Sequence, residues 1–413
     1  MEKFRQDYIA DVQVRLAGAK NSQLAMAAPL ESSGQPSSQP KPTSNTTPID
    51  RKKADTKNSN QKVGLVTSLL SVGAIKPAIA ILSKFRWLVD ANTEIADLML
   101  RIMKVSISPL YESLTVTKRP SSGFTRPRAR FGSSGVVQPS PLKSMLTLWA
   151  PNPPSTSTTE FVFFFPDWLD RVPLCSSLDD LGDVIEPLLH FIGLHIYRDP
   201  LFATKFLRLG KLHLLSTLPV DGSGKKPAGE PDPEDPVRRL WLAILRRYIL
   251  PALSMTRGNA VLTVEAWNLA RQYSTSVRWS LYGEWKNNRS HPELRIRDVQ
   301  ANRESKGILR RLSHNTIDAL VGPVAKMVHS NPCIFFGNAI TQVMAYDNLA
   351  TVVIQSLRYS TSMGFDVLVF IALDALANPN KQRVKDDGVN SSDWLQSASH
   401  TTPMILLRSS ASL

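Results

Sequence analysis

Two cysteines, Cys175 and Cys333, are all that this chain of 413 residues contains. So few exclude a disulfide framework and a cysteine-built zinc site, and make a reducing compartment the expected setting. Long apolar runs are missing as well. The stretch 161–165 stops at Pro166 and Asp167, and 365–377 carries Asp366 and Asp374. A bilayer-spanning helix needs about 20 predominantly apolar residues. Residues 1–16 are charged and lack an apolar centre, which is unlike a secretory signal. The expectation is a soluble intracellular protein with no membrane contact. Acidic residues are the minority charge, 35 against 49 Lys and Arg, for a net charge of +14. That balance favours polyanionic surroundings without choosing among nucleic acid, acidic proteins and anionic lipid.

Catalytic signals are equally sparse. The seven histidines are His190, His195, His213, His291, His314, His329 and His400. His190 and His195 do not have the i, i+4 spacing of a helical zinc pair, and no glutamate follows His190. Asp179–Asp180 and Asp386–Asp387 are neighbours in sequence, but adjacent helical positions diverge, so they read as caps or solvated charges. Gly222, Gly224, Lys225 and Lys226 lack Walker spacing and run into Pro227, which suits a linker better than a phosphate loop. No nucleophile elbow or Ser/His/Asp order stands out. The reading is of a protein that is not an enzyme and needs no cofactor and no metal.

What the chain does have is helical punctuation. Residues 1–18 read as a short helix, and 19–60, rich in Ser, Pro, Asn, Thr, Gln and Lys, as a disordered linker. A helical segment is expected over 61–114. Leu65, Val66, Leu69 and Leu70 share a face, Gly73 stops that helix, Pro77 opens the next, and a third covers about 91–107. A basic disordered loop follows at 115–159. Helical signals return over 160–217, where 161–165 could instead be a strand, and 218–234 is a Gly/Pro/acidic loop. The longest helical block is 235–397, and 398–413 is an atypical tail. Asp199-Pro200, Asp235-Pro236 and Asn331-Pro332 each combine an N-cap residue with a proline suited to the first helical position. Leu349, Val352, Val353 and Leu357 form one stripe, Gly364 is a plausible stop, and 365–377 fits a helix buried between neighbours. The fold expected is all-α: stacked antiparallel helices, α-solenoid-like, interrupted by disordered basic and Pro/Ser-rich loops.

Two basic features invite a functional reading. In the first, Lys118, Arg119, Arg126, Arg128 and Arg130 interleave with Phe124 and Phe131. Guanidinium groups neutralise phosphates and rings stack on unpaired bases, so weak, sequence-independent RNA contact fits, as does a solvated basic linker. In the second, Arg295, Arg297, Arg303, Lys306, Arg310 and Arg311 line a long polar helix that either bridges packed layers or presents a binding face. The segment 238–248 places Trp241, Ile244, Leu245 and Tyr248 on one side and four arginines opposite. It suits a surface helix with its stripe in the core, or one that meets a membrane surface or an acidic partner.

A series of short strings then appears in order: Tyr282, Gly283, Glu284, Trp285, Lys286; Ser290, His291, Pro292, Glu293, Leu294; His329, Ser330, Asn331, Pro332; Tyr346, Asp347, Asn348, Leu349. Phe365–Leu368, Ala375–Pro379 and Asp393–Gln396, the last with Trp394, follow, and Ile95–Leu98 and Ile107–Tyr111 precede them. Together they resemble the THO complex subunit 2 family, with a fungal flavour. The resemblance implies a large α-helical scaffold of the THO core of the TREX assembly. It implies coupling of transcription elongation to mRNP packaging and mRNA export in the nucleus, with other THO/TREX subunits and mRNA export factors as partners. It carries over no catalytic residue. Family members are several times longer, which makes this chain a middle fragment or truncated product. The family's basic, nucleic-acid-contacting C-terminal region is expected to lie outside it.

Overall fold

Helices start where short polar side chains can hold the first free N–H groups. Asp199 accepts from the Phe202 N–H at 2.9 Å ahead of Pro200–Ser216, and Asp235 accepts from the Val237 N–H at 2.7 Å ahead of Pro236–Ile244. Asn331 holds the corresponding place before Pro332–Val343 and makes no such cap. It is buried, and its amide donates to the Ser254 carbonyl at 3.2 Å, a bond a carboxylate could not make. An unforeseen cap takes over elsewhere: His291 Nδ1 accepts from the Glu293 N–H at 3.2 Å, opening Pro292–Arg311.

The computed structural model describes residues 1–27, 60–116, 172–218, 232, 234–288, 290–346, 349–378 and 392, with backbone alone at 22–27 and 116. Among these the architecture is all-α and no strand occurs. The elements are α1 (Glu2–Ala27), α2 (Gln61–Ser71), α3 (Ile75–Lys84), α4 (Leu88–Ala91), α5 (Thr93–Val116), α6 (Asp180–Val184) and α7 (Glu186–Ile192). A 3-10 stretch (Gly193–Arg198) leads to α8 (Pro200–Ser216) and α9 (Pro236–Ile244). A π turn (Leu245–Ile249) joins α9 to α10 (Leu250–Leu253). Then come α11 (Ala260–Ala270), α12 (Thr275–Asn287), α13 (Pro292–Arg311), α14 (Ile317–Ser330), α15 (Pro332–Val343), α16 (Leu349–Ser356) and α17 (Ser362–Leu376). The stack runs α2 on α5, α5 on α8, α8 on α11, and α11 on α14 and α17. Helix α15 packs between α13 and α17, and α1 returns to lie along α13. A single apolar core extends from Val63 to Ala372, so the solenoid-like stack is continuous.

Several local expectations change once neighbours are in place. Helix α1 runs to Ala27, past the expected limit at 18, because 19–27 hold good helix formers and no proline before Pro29. In α2 the inward face is Val63, Val66 and Leu70, and Leu65 is 51% exposed. Pro77 sits in the first turn of α3 and does not open it, whereas Gly73 takes φ 76° just beyond α2, as a stop should. Helix α5 continues past 107 and through Pro109, whose missing N–H leaves the Val105 carbonyl without its helical donor. The π turn precedes Pro251, whose ring and missing N–H disfavour a regular turn there.

Gly364 is no stop. It lies in the first turn of α17, where a Cβ would come within 2.7 Å of Val328 Cγ1. Trp241, Ile244, Leu245 and Tyr248 are buried as the stripe predicts, but the arginines do not all sit opposite. Arg238 is buried, 5.0 Å from the Tyr273 ring, and donates to the Gln272 carbonyl. The regions 117–171, 219–231 and 379–391, and with them the basic loop, the 161–165 segment and Gly222–Lys226, lie outside the described residues.

Candidate functional site

The family-like strings converge on a polar node at the C-terminal end of α10. Ser254 Oγ accepts from Trp285 Nε1 at 2.9 Å, joining α12. The Ser254 carbonyl accepts from Arg297 Nε and Asn331 Nδ2, each at 3.2 Å, joining α13 and the α14–α15 corner. Arg297, buried, turns its other nitrogens to Glu304 at 3.1 and 3.3 Å. Ser330 Oγ accepts from Asn331 Nδ2 at 3.1 Å. The His329 carbonyl accepts from Thr263 Oγ1 at 3.0 Å, and its ring Nε2 faces the Tyr359 carbonyl at 3.1 Å. Burial lowers the His329 pKa against the raising effect of that bond, which keeps the ring a neutral donor. Last carbonyls of a helix lack intrahelical donors, so an interior helix end needs such partners.

A second set ties α12 to α17. Arg278 Nε and Nη2 meet the Asp366 carboxylate at 2.9 and 3.1 Å, and Tyr282 Oη donates to the same carboxylate at 2.8 Å. Arg278 also lies 5.3 Å from the Trp267 ring. Tyr282 is fully buried, and burial followed by the Asp366 charge pushes its phenol well up. Phe370 packs over Gly283, 6.0 Å from the Tyr282 ring, at a distance that a Cβ would also tolerate. Lys286 pairs with Asp374 at 2.6 Å and Glu284 with Arg246 at 2.9 Å, both exposed.

The third constellation was invisible to sequence spacing. His195 Nε2 and His291 Nε2 lie 2.8 and 3.0 Å from Asp90 Oδ1, across 105 and 201 residues of chain. These donor atoms are close enough to one another to be tested as a metal site. Their surroundings suit hydrogen bonding instead. A ligating imidazole normally donates its other N–H to an outer acceptor. His291 Nδ1 accepts from the Glu293 N–H, so its proton is on Nε2 and points at Asp90. His195 Nδ1 is buried with no partner in the structure. The set therefore reads as one carboxylate accepting from two rings, and it clamps α4, the 3-10 stretch and the start of α13 together.

Burial pushes the Asp90 carboxyl up, but the hydrogen bonds from His195 and His291 outweigh it and hold the pKa down to about 2. A depressed carboxylate pKa gives stability that is present above the ordinary value, about 3.9, and lost as pH falls through the folded value. About 2–3 kcal/mol is expected to disappear over that acid window in the natural chain and to be absent throughout in Asp90→Asn. Urea unfolding at stepped pH measures it, and parallel stability profiles of the two chains would refute the clamp.

The remaining positions fall out as follows. Pro292 and Pro332 occupy first helical positions, and Glu293 pairs with Arg15 of α1 at 2.7 Å. Tyr346 is 66% exposed. Arg303 is half-buried, and Arg310 and Arg311 are exposed in the last turn of α13, where Arg311 Nε donates to the Gly307 carbonyl. Arg119, Arg126, Arg128, Arg130, Asp347, Asn348 and Trp394 lie outside the described residues. Asp180 accepts from the Ser176 and Ser177 N–H groups just ahead of α6, while Asp179 pairs with His213 and caps no helical N–H. Burial pushes the thiols of Cys175 and Cys333 up to about 11 and about 12, which suits neither to nucleophilic work. Sequence reasoning missed Ser254, Asp90 and Arg278. Asp366 did carry a signal, since a carboxylate inside an apolar helix requires a partner.

Residues 1–320 match the protein family described as THO complex subunit 2 N-terminus, and residues 324–399 match the one described as transcription- and export-related complex subunit. THO complex subunit 2 of Homo sapiens is 29% identical over 341 residues, which is 82% of this chain and 19% of that protein. The Saccharomyces cerevisiae protein of that name is 24% identical over 329 residues, 78% of this chain and 20% of its own length. The Arabidopsis thaliana one is 29% identical over 224 residues, 53% of this chain and 12% of its own length. The chain thus spans about a fifth of the length of the curated relatives it matches. By the extent of these matches it belongs to the THO complex subunit 2 family.

Proposed function

We propose that this chain acts as a non-catalytic helical scaffold of the THO/TREX complex, in the nucleus. There it helps couple transcription elongation to mRNP assembly and mRNA export by holding other THO/TREX subunits and mRNA export factors. The observation that supports this most is the use made of the family-like residues. Tyr282, Trp285, His291, His329 and Asn331 all bond between helices, and Glu293 bonds to α1. Side chains so engaged fix the relative positions of the helices, which is what a scaffold must hold constant to seat several partners together. No helix among the described residues is long and apolar enough to cross a membrane. The test is purification of the tagged chain from nuclease-treated nuclear extract, with mass spectrometry of what accompanies it. Other THO subunits are expected. A soluble, folded chain that brings none of them would overturn the assignment for this chain.

A further inference from the structure

Between α1, α12, α13 and α15 lies a groove of about 610 Å³ that none of the contacts above occupies. Lys20 of α1, Lys286 of α12 and Arg295 of α13 line it, against one carboxylate, Asp298. All three cations are exposed; Lys286 also holds Asp374, and Arg295 and Asp298 have interactions of their own within the fold. Asn287, Asn302 and Asn338 supply carboxamides to the same walls; Asn338 Nδ2 donates to Asn302 Oδ1 at 2.9 Å and to Ser305 Oγ at 3.2 Å, and Asn287 Nδ2 to the Gly283 carbonyl at 3.0 Å. The floor includes Gly337, in the interior of α15, where an added Cβ would meet nothing within 4 Å. Glycine inside a helix costs about 1 kcal/mol relative to alanine. In this position its missing side chain leaves the groove open down to the helix backbone.

We propose that this groove is a docking site for an acidic, extended peptide segment of a partner protein. Cations on three walls match carboxylates, and a carboxamide oxygen can accept from the N–H of an extended backbone. Single-stranded nucleic acid fits less well, because no aromatic ring lines the groove and stacking platforms are the usual means of holding unpaired bases. The groove also depends on α1, which contributes Leu16 and Lys20 and is held on α13 by the Arg15–Glu293 ion pair. The inference deepens the scaffold reading and rests on it for the nature of the occupant.

The experiment measures fluorescence anisotropy of a labelled poly-glutamate peptide with the full chain, and in parallel of a labelled poly-uridine oligonucleotide. Gly337→Leu fills the floor of the groove, and Gly337→Ala is the control. Poly-glutamate is expected to bind, to weaken about tenfold or more in Gly337→Leu, and to stay within about twofold in Gly337→Ala. Lys20→Glu, at an exposed position, is expected to weaken it as well and serves if Gly337→Leu does not fold. Binding that ignores both Gly337→Leu and Lys20→Glu would overturn the site, since general basicity would then explain it. So would poly-uridine binding that is lost in Gly337→Leu to the same degree. Co-purification of THO subunits is scored separately, so loss of the groove site with subunits retained leaves the scaffold reading standing.

Discussion

Asp366→Ala is expected to destabilise the protein by about 3–5 kcal/mol, the scale seen when one partner of a buried ion pair is removed. Asp366 and Arg278 are only 11% and 13% exposed, and the carboxylate also accepts from Tyr282. Without it, the buried phenol loses its acceptor and the guanidinium loses its counter-charge, keeping only the Tyr273 carbonyl and Thr275 Oγ1 as acceptors. The guanidinium cannot escape by deprotonating. Asp374→Ala, on the same helix, is the control. Its pair with Lys286 is about half exposed, and such pairs contribute about 0–1 kcal/mol. Urea unfolding followed by far-UV circular dichroism measures both. If Asp366→Ala costs no more than Asp374→Ala, the α12–α17 pair is not the anchor described above.

The second large effect lies where α8 meets α9. Trp241 is fully buried, its ring 4.9 Å from Phe206, and its Nε1 donates to His213 Nδ1 at 3.3 Å. His213 in turn faces Asp179 at 3.1 Å. Trp241→Ala removes one of the largest side chains of the core and is expected to cost about 3–5 kcal/mol. Gly210 makes the argument more specific. A Cβ there would lie 2.5 Å from Trp241 Cζ3, and an indole ring cannot bend aside. Gly210→Ala in a helix interior ordinarily gains about 1 kcal/mol, but in this position overpacking is expected to reverse the sign and cost about 1–3 kcal/mol. In the Trp241→Ala background that penalty should vanish, because the two residues share one contact. Thermal unfolding of the four chains gives the cycle, and additivity of the two changes would show that the close approach is not what matters.

Both effects depend on residues that the sequence marked only in part. Trp241 was legible as one of a stripe with Ile244, Leu245 and Tyr248, because i, i+3 and i+4 positions share a face whatever the neighbours. Its fit against Gly210 was not, since nothing in α8 announces which turn will face an indole. Asp199 and Asp235 were legible as caps, because a cap bonds within its own turn. Asn331 had the same local credentials and went elsewhere, drawn to the Ser254 carbonyl 77 residues away. The strings that carry the family resemblance could be read in order, but their work could not: His291 looked like part of a turn and serves as both cap and clamp.

The sequence by itself determined the all-α class, the starts of α8, α9 and α15, the Trp241 stripe and the membership of a family, because periodicity, capping and motif order are local properties of the chain. Only the tertiary structure decided which polar side chains meet. Ser254 became a node, Asp90 gathered two distant histidines, Arg238 and Arg297 turned inward, and a groove opened above Gly337. The physical reason is that a buried polar group must find its partner wherever packing brings one within about 3 Å, and that partner is set by how helices stack, not by spacing along the chain.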